Sequence, residues 1–284
     1  MKKTVSFLII FVLLSLGVGC KKQEIKFPDR QAHTNVSSAL TYDEYNKQEE
    51  KEKAERINKI KNAEWKKNPN KYKLVALTFD DAPSYSTAKD NNTVKIIDAI
   101  NKYEGAGTLF CIGKNIDTNG TALLSYAKDL GFELANHTYN HMHLNTLSKA
   151  DIRTEIARVN DLLKERVGAS SKFLRPGYGD VNDDVFSIAT ELNMPVIWTD
   201  VKGIADYSSE SSADFIEERV VNGVKDGSIV LLHGNVKNTA EAMENICKRL
   251  YDDGYRFVTL SEMFEYKGIK NIPTDKMIEN ANLY

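Results

Sequence analysis

The chain has 284 residues, 42% hydrophobic and 27% charged, which is ordinary for a globular protein and long enough for one large α/β domain or two small ones. Lys and Arg number 38 against 40 Asp and Glu, and the formal net charge of −2 gives no electrostatic reason to invoke nucleic acid or an anionic membrane surface. Three cysteines are too few for a disulfide framework, and Cys111 and Cys247 sit in apolar patterns that read as buried thiols.

Met1-Lys2-Lys3 opens an apolar run from Val5 to Val18, too short to span a bilayer comfortably. The run ends in Leu16-Gly17-Val18-Gly19-Cys20, and small residues before a cysteine resemble a bacterial lipoprotein signal. Residues 1–20 are therefore expected to direct export, with Cys20 lipidated and the protein held at the cell surface. Gly17 stands where that pattern prefers leucine, so a plain secreted form is the alternative. Residues 21–73 read as a charged tether. Lys47 to Arg56 mixes both signs as a solvated helix does, Ile57, Ile60 and Trp65 offer a weak apolar contact, and Asn68-Pro69-Asn70 marks a boundary.

From Leu74 onward, strand-like and helix-like stretches alternate. Strands are expected at Leu74–Asp81, Thr108–Ile112, Phe132–Ala135, Phe173–Leu174, Val196–Trp198, Ser228–Leu232 and Arg256–Val258. Helices are expected at Thr93–Tyr103, Leu123–Leu130, Asp183–Leu192, Ala213–Val224 and Thr239–Tyr251. Another opens at the cap Ser148-Lys149-Ala150-Asp151, buries Ile152, Ile156, Val159 and Leu163, and ends near Gly168. About seven β-then-α units favour a parallel sheet closed into a barrel, a single α/β domain over 74–266. Residues 267–284 carry no strong pattern and read as a C-terminal tail.

Chemistry in such folds collects at the C-terminal ends of strands. The first strand ends in two adjacent carboxylates, Asp80 and Asp81, which would point to opposite faces unless the strand has ended there. One is expected to act as a base and the other as a metal ligand. Three of the five histidines lie in Asn136-His137-Thr138-Tyr139-Asn140-His141-Met142-His143, directly after the third strand. Two imidazoles four residues apart can meet one metal, and with one carboxylate they leave positions open for water. Arg175-Pro176-Gly177-Tyr178-Gly179 follows the next strand, and its arginine fork suits a buried carboxylate. Asp200 and Asp206-Tyr207 follow a later strand, and Leu231-Leu232-His233 ends the last long apolar one.

In this order these segments resemble the five motifs of the polysaccharide deacetylase family, carbohydrate esterases related to chitooligosaccharide deacetylases, over roughly Leu74 to Tyr266. The resemblance implies a distorted (β/α)7–8 barrel with one divalent metal, zinc foremost, with cobalt, nickel or manganese as alternatives. It implies Asp80 as general base, Asp81, His137 and His141 as metal ligands, and His233 as the acid that protonates the leaving amine. Asp206 would tune His233, with Asp200 competing for that role, and Arg175 would hold Asp80. The Tyr178 backbone N–H would hold the oxyanion, Leu231 would line the acetyl pocket, and Tyr207 and Gly177 would shape the groove. A metal on Asp81 would also relieve the repulsion between the adjacent carboxylates. Departures from the pattern are Ala82 for glycine, Gly177 for a second proline, Tyr207 for tryptophan, and a longer interval from Trp198 to Asp206.

The implied substrate is an acetylated polysaccharide, N-acetylglucosamine in peptidoglycan first, with chitin oligomers and O-acetylated xylan next. Its other expected contact is the membrane, through the N-terminal lipid anchor; the protein is expected to be a monomer. The alternative from another class is an inactive carbohydrate-binding lipoprotein, which predicts a missing ligand, base or acid; none is missing.

Overall fold

Side-chain alternation along the first strand divides the apolar interior into two compartments. In β1 (Lys73–Ala82), Leu74 and Ala76 join Phe110, Ala135, Ile197, Ile229 and Val258 in one cluster, while Val75, Leu77 and Phe79 join the inner faces of the surrounding helices in another. That is the layering of a small barrel, with strand residues of one parity filling the ring and the other parity covered by helices.

The computed structural model describes residues 42–83 and 91–282. The leader over 1–20, with Cys20, lies outside the described residues. Among them the remaining strands are β2 (Thr108–Cys111), β3 (Glu133–Asn136), β4 (Val196–Ile197), β5 (Ser228–His233), β6 (Tyr255–Phe257) and β7 (Met277–Ile278). The helices are α1 (Tyr42–Lys61), α2 (Asn92–Asn101), the single turn α3 (Gly113–Asn115), α4 (Thr121–Asp129), α5 (Lys149–Leu162), α6 (Asp183–Glu191), α7 (Ala213–Gly223), α8 (Lys237–Asp252) and α9 (Leu260–Tyr266).

Parallel pairing runs β3-β2-β1-β5, with β6 on the first residues of β1. Single bridges from Asn136 to Leu174 and from Leu174 to Val196 carry the ring on to β4, and β4 pairs with β7. A bridge between Ser228 and Asn280 brings the chain back to β5 and closes the barrel. The expected strand at Phe173–Leu174 shrinks to the single residue Leu174, bridged on both sides, because Pro176 just beyond it has no N–H to donate to a ladder. The ring is therefore a distorted barrel with very short staves on one side. The expected cap of α5 is present, Ser148 accepting from the N–H of Asp151.

Two segments pack more closely than their composition suggests. In the expected tether, Ile60 and Trp65 are only 2% and 4% exposed. Trp65 closes one end of the barrel interior, edge-on to Tyr266 at 6.3 Å. Arg56 adds a polar anchor, donating to Asp98 at 2.5 Å and to the hydroxyl of Tyr126 at 3.2 Å. The expected tail supplies β7 and buries Ile278 and Ala281 against the barrel interior. One indole and two or three aliphatic side chains are enough apolar area to hold such segments down. Cys111 and Cys247 are buried free thiols. Among the described residues no helix is long and apolar enough to cross a membrane.

Candidate active site

Thr78 and Asp80 continue the inward-facing row of β1, and both meet the same guanidinium. Arg175 is fully buried and donates through Nη1 to Asp80 Oδ1 at 2.8 Å and to Thr78 Oγ1 at 2.8 Å. Its Nε and Nη2 donate to the carbonyls of Ile197 at 3.1 Å and Trp198 at 3.2 Å, and its plane lies 4.0 Å over the Phe110 ring. Burial opposes ionisation of Asp80. The charge of Arg175, with His137 and His233, outweighs it and holds the carboxyl below its usual range.

Asp81 should face outward by strand parity, and it does not. Between Phe79↔Leu109 and Ala82↔Cys111 the register of β1 against β2 slips by one residue, a bulge that re-aims the intervening side chains. Asp81 takes a left-handed φ of 61° there, and its Oδ1 lies 3.6 Å from Nε2 of both His137 and His141. The methyl of Ala82 goes into the core rather than onto the rim.

His137 Nδ1 lies 2.7 Å from the Arg175 carbonyl, which can only accept, so this nitrogen carries the proton and Nε2 presents its lone pair. Burial and the neighbouring His137 lower the pKa of His141, which favours the neutral, ligating imidazole. The ligand atoms of Asp81, His137 and His141 all lie within 4.8 Å of one another. Among the described residues Asp81 Oδ1 is buried without a hydrogen-bond partner, a costly state that a cation between these three atoms would relieve. Two neutral imidazoles and one carboxylate fit a divalent metal with open positions.

Opposite this cluster, β5 brings Leu231 and His233 to the same rim, and His233 is the register partner of Asp80. Asp206 accepts from the His233 backbone N–H at 2.7 Å, from Nδ1 at 2.8 Å and from the Thr239 hydroxyl at 2.6 Å. Burial disfavours the imidazolium, but the Asp206 hydrogen bond and the charge of Asp80 prevail and push His233 up to about 9. Asp200 is engaged elsewhere, accepting from the Ser228 hydroxyl and the Ile229 N–H at the other end of β5. Of the two candidate acids, only Asp206 touches His233. The exposed ring of Tyr207 lies 5.5 Å from that imidazole.

The third edge is the turn at Gly177–Gly179. Tyr178 has a left-handed φ of 60°, and its ring stacks on His143 at 4.0 Å while meeting His141 edge-on at 4.6 Å. A Cβ on Gly179, where φ is 73°, would lie 2.5 Å from the Trp198 ring, and one on Gly177 would lie 3.1 Å from the His141 ring. Glycine is the residue that fits both places.

Several side chains that complete the site carried no motif. Asn235 donates to Asp81 Oδ2 at 3.4 Å, Asp180 pairs with His143, and Thr239 supports Asp206. Glu155, on α5, accepts from both the backbone and side chain of Asn140. A charged residue inside the apolar stripe Ile152, Ile156, Val159 was the one readable signal for it.

The polysaccharide deacetylase family profile matches residues 67–197. Over 71% of its length the chain is 35% identical to a bifunctional xylanase/deacetylase of Pseudobutyrivibrio xylanivorans, and it spans about a third (32%) of that longer protein. It is 33% identical over 70% of its length to a peptidoglycan-N-acetylglucosamine deacetylase of Bacillus cereus, covering 92% of it. The crystal structure of the Xyl-CE4 domain of a multidomain xylanase, from the hindgut metagenome of Trinervitermes trinervoides, superimposes with a TM-score of 0.67 at 34% identity. That match covers 74% of this chain and 98% of that domain. Shared sequence across nearly the whole of a relative, a matching barrel, and an Asp-His-His cluster at its rim agree: the chain belongs to the polysaccharide deacetylase family.

Proposed function

We propose that the protein removes acetyl groups from N-acetylglucosamine units of a cell-wall polysaccharide, peptidoglycan first. The observation that carries this reading is the separate partnering of Asp80 and His233. The two are register partners on adjacent strands, one held ionised by Arg175 and the other held protonated by Asp206. A base and an acid thus stand side by side on the rim where Asp81, His137 and His141 converge.

A divalent metal held by Asp81, His137 and His141, zinc foremost, would supply Lewis-acid polarisation of the acetyl carbonyl and of a water molecule. Asp80 accepts the proton of the attacking water as the new C–O bond forms. Arg175 keeps that carboxylate ionised and fixed. The turn at Gly177–Gly179 presents the Tyr178 N–H to the developing oxyanion. His233 then gives its proton to the sugar nitrogen as the C–N bond breaks, leaving acetate and a free amine. Asp206 orients the ring for that transfer, Leu231 packs on the acetyl methyl, and Tyr207 lines the groove beside the acid.

The 35% identity to a xylanase/deacetylase supports a second reading, removal of O-acetyl groups from xylan. Acetate release from peptidoglycan, chitin oligomers and acetylxylan, after chelation and again after adding zinc or cobalt, decides between them. Metal-dependent release from peptidoglycan above the others is expected. No metal-dependent release from any of the three would sink the enzyme reading. The same reading places the protein at the bacterial cell surface, anchored through lipidated Cys20 and monomeric. A Cys20→Ser variant should leave the membrane fraction.

A further inference from the structure

The segment from His137 to His141 is a strained piece of backbone that must be held from outside. Thr138 and His141 both take left-handed φ values, 64° and 58°. Such conformations are disfavoured for residues with a side chain, so the turn persists only where its surroundings over-determine it. At its start, Asn136 Oδ1 accepts from the Thr138 N–H, and Asn136 Nδ2 donates to the Ile156 carbonyl and to Asn160, both contributed by α5. At its far end, the Thr138 hydroxyl accepts from the His141 N–H at 3.1 Å.

Between them lies a single buried carboxylate. Glu155, 7% exposed, accepts from the Asn140 N–H at 2.8 Å through Oε2 and from Asn140 Nδ2 at 2.7 Å through Oε1. Both oxygens of a buried carboxyl group are thus committed to the residue immediately before His141. The grip falls on the Tyr139–Asn140 peptide and on the Asn140 side chain, one residue ahead of His141, so a shift of Asn140 is passed directly to the backbone that carries the His141 ring.

We propose that Glu155 is a positioning residue for the metal cluster: its bidentate grip on Asn140 fixes the left-handed turn that aims His141 Nε2 at the Asp81 carboxylate. Glu155 touches neither substrate nor ligand atoms; it acts through Asn140 and His141. The inference rests on reading Asp81, His137 and His141 as metal ligands. Loss of an outer support of this type weakens metal binding by about 10–100-fold.

The test is calorimetric titration of zinc into chelator-treated full-length protein, with circular dichroism and thermal unfolding alongside. Glu155→Gln keeps the shape but turns one acceptor into a donor facing the Asn140 amide, and should bind zinc about 10–100-fold more weakly. Glu155→Asp, with a shorter reach, should fall between it and the wild type. Asn140 is exposed, so Asn140→Ala removes one arm of the grip with little risk to folding, and about 10-fold weaker binding is expected. Combined with Glu155→Gln it should add less than its separate effect, because both act on one contact. Wild-type zinc affinity in a folded Glu155→Gln protein and in Asn140→Ala overturns the inference while leaving the metal site intact. Absence of zinc binding by the wild type overturns the metal-site reading and this inference together.

Discussion

Asp80 and His233 occupy the same rung of the β1–β5 ladder, yet they are held in opposite protonation states by different partners. Arg175 stabilises the anion of Asp80, and Asp206 stabilises the cation of His233. Parallel pairing brings the two elements into register, and the inward-facing rows of two strands put both groups on one rim.

Replacing Asp80 by Asn should lower kcat/KM by about 10²–10⁴-fold, the range for one acid–base group. It also removes the counter-charge from a guanidinium with no exposure, and breaking a buried pair costs about 3–5 kcal/mol. Activity assays and urea unfolding of the same variant read the two effects separately. Normal acetate release by a metal-loaded Asp80→Asn protein would refute the base assignment.

The pH dependence follows from His233. Its folded value of about 9 lies above the ordinary 6.5, so the protonated form is the one the fold favours. As an acid, His233 must be protonated, and kcat/KM should fall as pH rises through about 9. The stability that this pair contributes is complete below pH 6.5 and is lost as pH climbs from there through about 9. In Asp206→Asn the imidazole loses its carboxylate, so NMR titration of the metal-free protein should find His233 shifted downward and the alkaline limb at lower pH.

Gly179→Ala tests the turn that carries Tyr178. The added methyl meets Trp198 at 2.5 Å and must also accept a φ of 73°. Overpacking of this kind costs about 1–3 kcal/mol. The displaced Tyr178 should lose about 10²-fold in kcat/KM, the scale of a 1 Å misplacement. Metal affinity should change little, since the methyl points at the indole. Steady-state kinetics beside zinc titration would expose a wrong prediction.

Trp65 tests how far the folded unit extends toward the N-terminus. Trp65→Ala should cost about 3–5 kcal/mol, as for other buried indoles. Trp65→Phe should cost less, because the buried indole Nε1 has no hydrogen-bond partner among the described residues to lose. Equal midpoints for the two variants in denaturant would contradict this.

The parts of the site that lie at strand ends were legible in the sequence, because an apolar run ending in acids or histidine is a local pattern. Asp80, Asp81, His137 and His233 end or directly follow such runs, His141 follows His137 at a spacing of four, and the structure brings them together. The direction of Asp81 was not legible. It depends on a bulge and a left-handed aspartate, which no alternation of residue types encodes. Choosing between Asp200 and Asp206 needed the path of the loop that delivers each to a different end of β5. The closing strand Met277–Ile278 is two residues long, too short for any periodicity to register. Ile60 and Trp65 were legible as an apolar contact but not in its depth, since the charge around them gives no measure of how far one side chain reaches into the core.

The ring closes last. β1 finds its partner β5 about 150 residues further along the chain, the Thr78 hydroxyl donating to the Val230 carbonyl across a separation of 152, and the final bridge waits for Asn280. Every acid and histidine of the site therefore lies before α8, while the bridge that closes the ring lies after it. Such late-forming contacts slow folding.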